Sequence, residues 1–218
     1  MGRFKNGLVL HTHPLAVLGG RQPVDYGTAL LGVLTALYSK KSWPFLGQAL
    51  AAAWHGDGTD LAFYAYSYAG LQRDGSFSNI LSANAATWCL DLPAPATIHA
   101  FTALASRLAK SAPNFGPQVV WSEAMAACLY WPHRALTQPA AAHAPGAPPI
   151  LVVGSTDDPA TPYAWAKALA KQLPHATLLT RTGAGHTAFA SSACIRRWDD
   201  RYFQTLRMPP PGTVCASD

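Results

Sequence analysis

A chain of 218 residues, half of them apolar and only 12% charged, is long enough for one large domain or a domain with a sizeable insertion, and too apolar to be disordered. Its net charge of +5 comes from scattered Arg and Lys with no basic stripe interleaved with stacking aromatics, which excludes the footprint of a nucleic-acid binder. The apolar runs at 28–38 and 48–54 are too short to span a bilayer.

The opening MGRFKNGLVLHTH has a basic start but lacks the long apolar stretch and small-residue cleavage site of a signal peptide. Residues 1–20 are read as an N-terminal segment. His11 and His13 offer two potential metal ligands there, but no acidic or cysteine partner stands nearby in sequence, and a surface segment is the better reading. Residues 21–132 read as helices separated by turns. TALLGVLTALY (28–38) repeats its apolar residues at three- and four-residue intervals, so it buries one face as a helix. SWPFLGQALAAAW (42–54) follows with Ser42 as cap and Pro44 in the first turn. HGDGTD (55–60) breaks the chain, another helix runs through Tyr68, and RDGS (73–76) is a turn. Helices over 78–90, 97–110 and 122–130 complete the set. Asp57, Asp60 and Asp74 are read as turn residues, and the aromatics between Trp43 and Tyr68 as mostly core.

HRALTQPAAAHAPGAPP (133–149) is a Pro/Ala linker with no regular element. In 150–218 the character changes. ILVVG (150–154) is a continuous apolar, β-branched run, as expected of a strand buried on both faces of a parallel sheet. TPYAWAKALAKQL (161–173) is an amphipathic helix with Thr161 as cap and Pro162 at its first position. ATLLTR (176–181) is a second strand, followed by a glycine loop, a helix over about 191–206 and the tail MPPPGTVC. Strand, helix, strand, helix is a parallel-sheet unit, yet two strands need a third neighbour and no other segment clearly supplies one; GLVL (7–10) is short and distant.

In such a unit both strands point the same way, so the loops after them emerge at one edge of the sheet. STDDP (155–159) places Asp157 and Asp158 there, and GAGH (183–186) places His186 there. An acid and a histidine then meet at neighbouring strand ends, the geometry in which a carboxylate fixes an imidazole's tautomer. The order acid before histidine is that of α/β-hydrolases; the alternative is a turn residue or helix cap beside an ordinary loop histidine. Of the four cysteines, Cys89, Cys128, Cys194 and Cys215, none has CxxC spacing, which disfavours a metal site. Cys194 and Cys215 bracket a helix and a Pro-rich tail that a disulfide would hold down, worth about 3 kcal/mol in the chain-entropy model; four buried free thiols are the alternative.

ILVVGSTDDPATPYAWAKALAKQL, TGAGHTAFASSAC and PPPGTVC closely resemble the C-terminal domain of tripeptidyl-aminopeptidase-like proteins, secreted actinobacterial serine peptidases of the proline-iminopeptidase group of α/β-hydrolases. PLAVLGGRQ, GVLTALYS, SWPFLGQALAAAWHGDGT, DGSFSNI and CLDLP resemble that family's lid insertion. The resemblance implies a partial α/β-hydrolase fold (its C-terminal strands and helices) preceded by a mainly helical lid. It implies Asp158, the aspartate before Pro159, as triad acid in preference to Asp157, and His186 as base. It further implies disulfides Cys89–Cys128 and Cys194–Cys215, a secreted or cell-envelope location, a peptide substrate and no metal or organic cofactor.

The chain departs from the family pattern in having no GxSxG nucleophile elbow and no HGG oxyanion loop. AYSYAG (65–70) imitates an elbow around Ser67, but tyrosines flank the serine and a helical pattern precedes it, where an elbow needs a strand and small neighbours. The expectation is therefore the C-terminal part of a peptidase, inactive alone. The alternatives are a half-enzyme completed by a separate chain carrying the missing N-terminal half, or a non-catalytic binding or scaffold remnant of the fold.

Overall fold

A computed structural model describes residues 12–19, 22–113, 115–121, 126–135 and 138–218. GLVL, His11 and part of the helix expected over 122–130 lie outside the described residues. The chain divides into two compact units, one of Met1–Ala36 and Pro44–Pro139, the other of Leu37–Trp43 and Ala140–Asp218.

The first unit carries helices α1 (Tyr26–Leu37), α2 (Trp43–Trp54), α3 (Thr59–Tyr68), α4 (Ile80–Asp91), α5 (Ile98–Ser111) and α6 (Gly116–Trp121). Leu37 and Trp43, the outer ends of α1 and α2, are grouped with the second unit. Small residues set the packing: a Cβ at Gly32 of α1 would overlap the Leu61 carbonyl of α3, so only glycine permits that approach. Phe101, Ala105 and Val120 form a buried cluster between α5 and α6, joined by Leu104, Leu108 and Leu129. The Thr97 side chain caps α5 by accepting from Ala100 N–H at 3.2 Å. A disulfide joins Cys89 to Cys128.

Lys40–Ser42 form a 3-10 turn, and its cap is Ser39, whose Oγ accepts from Lys41 N–H. Ser42 thus ends that turn instead of capping α2. The extra turn absorbs the polar residues before Trp43 begins the helix.

The second unit is built on a parallel sheet ordered β1 (Ile150–Asp157), β2 (Ala176–Ala184), β3 (Val214–Ala216). Between the strands run α7 (Tyr163–Gln172) and α8 (Ala193–Thr205). Alternation along β1 sends Leu151 and Val153 to the face where Leu179, Ala188, Ile195 and Cys215 form the core with α8. Gly154 lies on the opposite face, where a Cβ would come within 2.7 Å of Ala166 and 2.9 Å of the Tyr163 ring. Its missing side chain lets α7 lie flat on the sheet.

Three features differ from the sequence reading. Both long strands run further, to Asp157 and Ala184, because the parallel ladder continues past the apolar stretch with an irregularity between Ser155 and Asp157. The third strand exists, and it is the tail: Val214–Ala216 pair with Thr180–Thr182. A disulfide joins Cys215 to Cys194 of α8, and the Asp218 side-chain carboxylate accepts from Ala193 N–H at 2.9 Å. Lastly, α7 starts at Tyr163 with Pro162 as its cap residue; Thr161 is drawn away from capping by Asp158.

Candidate active site

The register pairs Asp157 with Ala184, so Asp158 and the glycine loop leave the sheet side by side at its carboxyl edge. The Asp158 side chain keeps only 4% of its surface exposed. Its Oδ1 accepts from the backbone N–H of Ala160 and of Thr161, each at 2.8 Å. Its Oδ2 accepts from the Thr161 hydroxyl at 3.1 Å and from Thr187 N–H at 3.3 Å. His186 Nδ1 lies 3.0 Å from both carboxylate oxygens.

Burial pushes the Asp158 carboxyl up, but the backbone donors Thr161 and Ala160, and then His186, outweigh it and hold the group below the ordinary carboxylate value. An ionised carboxylate only accepts, so Nδ1 carries the proton and, in the neutral ring, Nε2 carries the lone pair. Among the described residues Nε2 has no hydrogen-bond partner, and the side chain keeps 27% exposure. The arrangement is that of a base pinned at one nitrogen and open at the other.

The depressed folded value fixes a pH dependence. A carboxyl that binds protons less tightly when folded contributes stability that is complete above the unfolded value, about 3.9, and is lost as pH falls through the lower folded value. In thermal melts between pH 7 and pH 2, the wild type should therefore lose stability below about pH 4 more steeply than Asp158→Asn. Parallel losses in the two proteins would contradict this account of the carboxyl.

The loop geometry is special on both sides of the ring. Gly183 and Gly185 have φ of 121° and 116°, which side-chain-bearing residues rarely adopt. Thr187 stands at φ 63°, an outlier for a β-branched residue. Tyr38 completes the surroundings: its carbonyl accepts from His186 N–H at 2.8 Å, and its ring meets the imidazole edge-on, centroids 5.0 Å apart. Tyr38, Thr187 and the hydroxyl role of Thr161 were not visible in sequence; the Pro159, Ala160 and Thr161 that follow Asp158, with backbone donors two and three residues on, were a usable signal.

Among the other sequence candidates, Asp157 is exposed and accepts from the neighbouring Thr156 hydroxyl at 2.8 Å; the residue brought to His186 is Asp158. Ser67 lies in the last turn of α3, with helix and no strand before it. His13 contacts Thr12, and among the described residues no group of three or more His, Cys, Asp or Glu could hold a metal ion. Asp57 and Asp74 close turns with Thr59 and Ser76, and Asp60 sits in the first turn of α3. No helix among the described residues is long and apolar enough to cross a membrane.

Residues 112–215 match the family model described as TAP-like protein, an α/β-hydrolase family. The chain is 36% identical over 197 residues to carboxylesterase B of Mycobacterium tuberculosis, covering 88% of this chain and 38% of that protein. It is 32% identical over 195 residues to the serine protease Hip1 of the same organism, covering 88% of this chain and 37% of that one. The chain thus spans well under half the length of these relatives. The chain is thus similar to TAP-like α/β-hydrolases over these segments.

Proposed function

We propose that this chain supplies the base and orienting acid of a secreted serine peptidase of the tripeptidyl-aminopeptidase type, whose serine and oxyanion donors come from polypeptide outside these 218 residues. The observation that carries the reading is the His186 imidazole held by a buried carboxylate at one nitrogen and open at the other. Nε2 takes the hydroxyl proton as serine attacks the peptide carbonyl, and returns it to the leaving amine as the C–N bond breaks. Asp158 stabilises the imidazolium formed between these steps. Two disulfides support an exported protein, and the relative named a serine protease supports amide hydrolysis. Ester hydrolysis by the same steps is the second reading, favoured by the relative named a carboxylesterase.

The test compares the 218-residue chain with a longer product that includes upstream sequence encoding a GxSxG segment. A fluorophosphonate probe should leave the short chain unlabelled and label the long one, which should also release tripeptides from chromogenic peptide substrates. Turnover by the short chain that disappears in Ser67→Ala would contradict the proposal, and cleavage of simple esters but no peptide by the long product would favour the second reading.

A further inference from the structure

We propose that Arg181 is a positioning residue for His186: its guanidinium clamps the glycine loop and sets the peptide plane from which the imidazole projects. Arg181 lies on β2, paired with Ser155 of β1 and Cys215 of β3, and only 1% of its surface is exposed. Among the described residues the ion pairs are His186–Asp158 and Arg196–Asp218, so this buried cation has no counter-charge there. Its acceptors are neutral oxygens. Nε donates to Ser155 Oγ at 3.0 Å and Nη1 to Ser217 Oγ at 3.0 Å. Nη2 donates to Gly185 O at 2.8 Å and, more weakly, to Gly183 O at 3.4 Å.

A guanidinium stays charged at every physiological pH, and burying it without a carboxylate is costlier than burying an apolar side chain of similar volume. Filling space between the strands does not account for it. The fork geometry does, because one planar group reaches the ends of β1 and β3 and the loop after β2 at once.

The consequence for His186 follows from peptide planarity. The Gly185 carbonyl and the His186 N–H belong to one rigid unit. Arg181 holds the oxygen end at 2.8 Å and the Tyr38 carbonyl holds the N–H end at 2.8 Å. Clamped at both ends, the plane cannot rotate, although the glycines on either side of Ala184 have a freedom of φ that no other residue shares. Arg181 thereby acts on the base through the backbone and not by touching the reacting atoms.

This inference rests on the reading of His186 as the base, so its test reads the imidazole itself. Nitrogen-15 histidine spectra of the full chain, with His186 assigned by His186→Gln, report the Nδ1–H signal. Thermal melting run alongside reports folding. Lysine is cationic but lacks the fork, so Arg181→Lys should melt cooperatively while its His186 Nδ1–H signal broadens or moves. Cooperative melting with an unchanged signal would overturn the proposal. Should that variant fail to fold, Ser155→Ala and Ser217→Ala each remove one anchor of the guanidinium and leave the loop's own residues unchanged; the same spectral change is expected, and unchanged signals in both would overturn it. Asp158→Asn is the control. A signal insensitive to Asp158→Asn would sink the acid–base pair, whereas a response to Asp158→Asn with none to Arg181 or serine variants would sink only this inference.

Discussion

Asp158→Asn in the catalytically complete protein is expected to lower kcat about 10⁴-fold with little change in KM, the size of loss seen when a triad acid is replaced by its amide. The reason lies in the donors already around the carboxyl. Ala160 and Thr161 N–H both point at Oδ1, so the asparagine carbonyl stays with them and its NH2 takes the Oδ2 position. That NH2 faces Nδ1 and favours the tautomer that accepts there, with the proton on Nε2, which leaves no lone pair to take the hydroxyl proton in the proposed reaction. Steady-state kinetics on purified wild type and variant measure the effect. A loss confined to KM would mean that Asp158 helps bind substrate and does not orient the base.

Breaking Cys194–Cys215 with a double serine substitution should cost about 3 kcal/mol, from the 21-residue separation it closes. For a unit of this size that is a fall in melting temperature of roughly 12–24 °C. The loss should be concentrated at the third strand, which has only three residues. β3 also organises its surroundings: Ser192 Oγ donates to Ala216 O at 2.6 Å, and Arg181 reaches Ser217. Its release therefore loosens both the start of α8 and the clamp behind His186. Hydrogen exchange should find the amides of β3 unprotected in the variant while those of β1 remain slow. Uniform loss of protection across the sheet would show instead that β3 is not a separate weak point.

The elements legible in sequence are those whose burial leaves a pattern in consecutive residues. ILVVG announces a strand flanked on both faces, and the three- and four-residue spacing of α1 announces a helix. The strand ends were legible as a consequence, since a parallel βαβ unit sends Asp158 and His186 to one edge whatever the loops do. Val214–Ala216 were not legible because three residues carry no periodicity, and what holds them is a disulfide and a ladder to β2 that are distant in sequence. Tyr38 was hidden for the same reason: its carbonyl meets His186 across most of the chain. Arg181 closed an apparent strand as an ordinary polar residue, and nothing in TLLTRTGAG says that its side chain turns inward beneath the loop. Thr161 was read as a helix cap, the usual role of threonine before proline; the nearby carboxylate competes for the same hydroxyl and wins.

Nitrogen-15 chemical shifts of the His186 ring, followed as pH is raised to neutrality and beyond, bear most directly on the acid–base pair. A protonated Nδ1 and an unprotonated, pyridine-like Nε2 are expected in the neutral ring of the wild type. A neutral ring protonated at Nε2, or one exchanging evenly between the two tautomers, would mean that Asp158 does not fix the base.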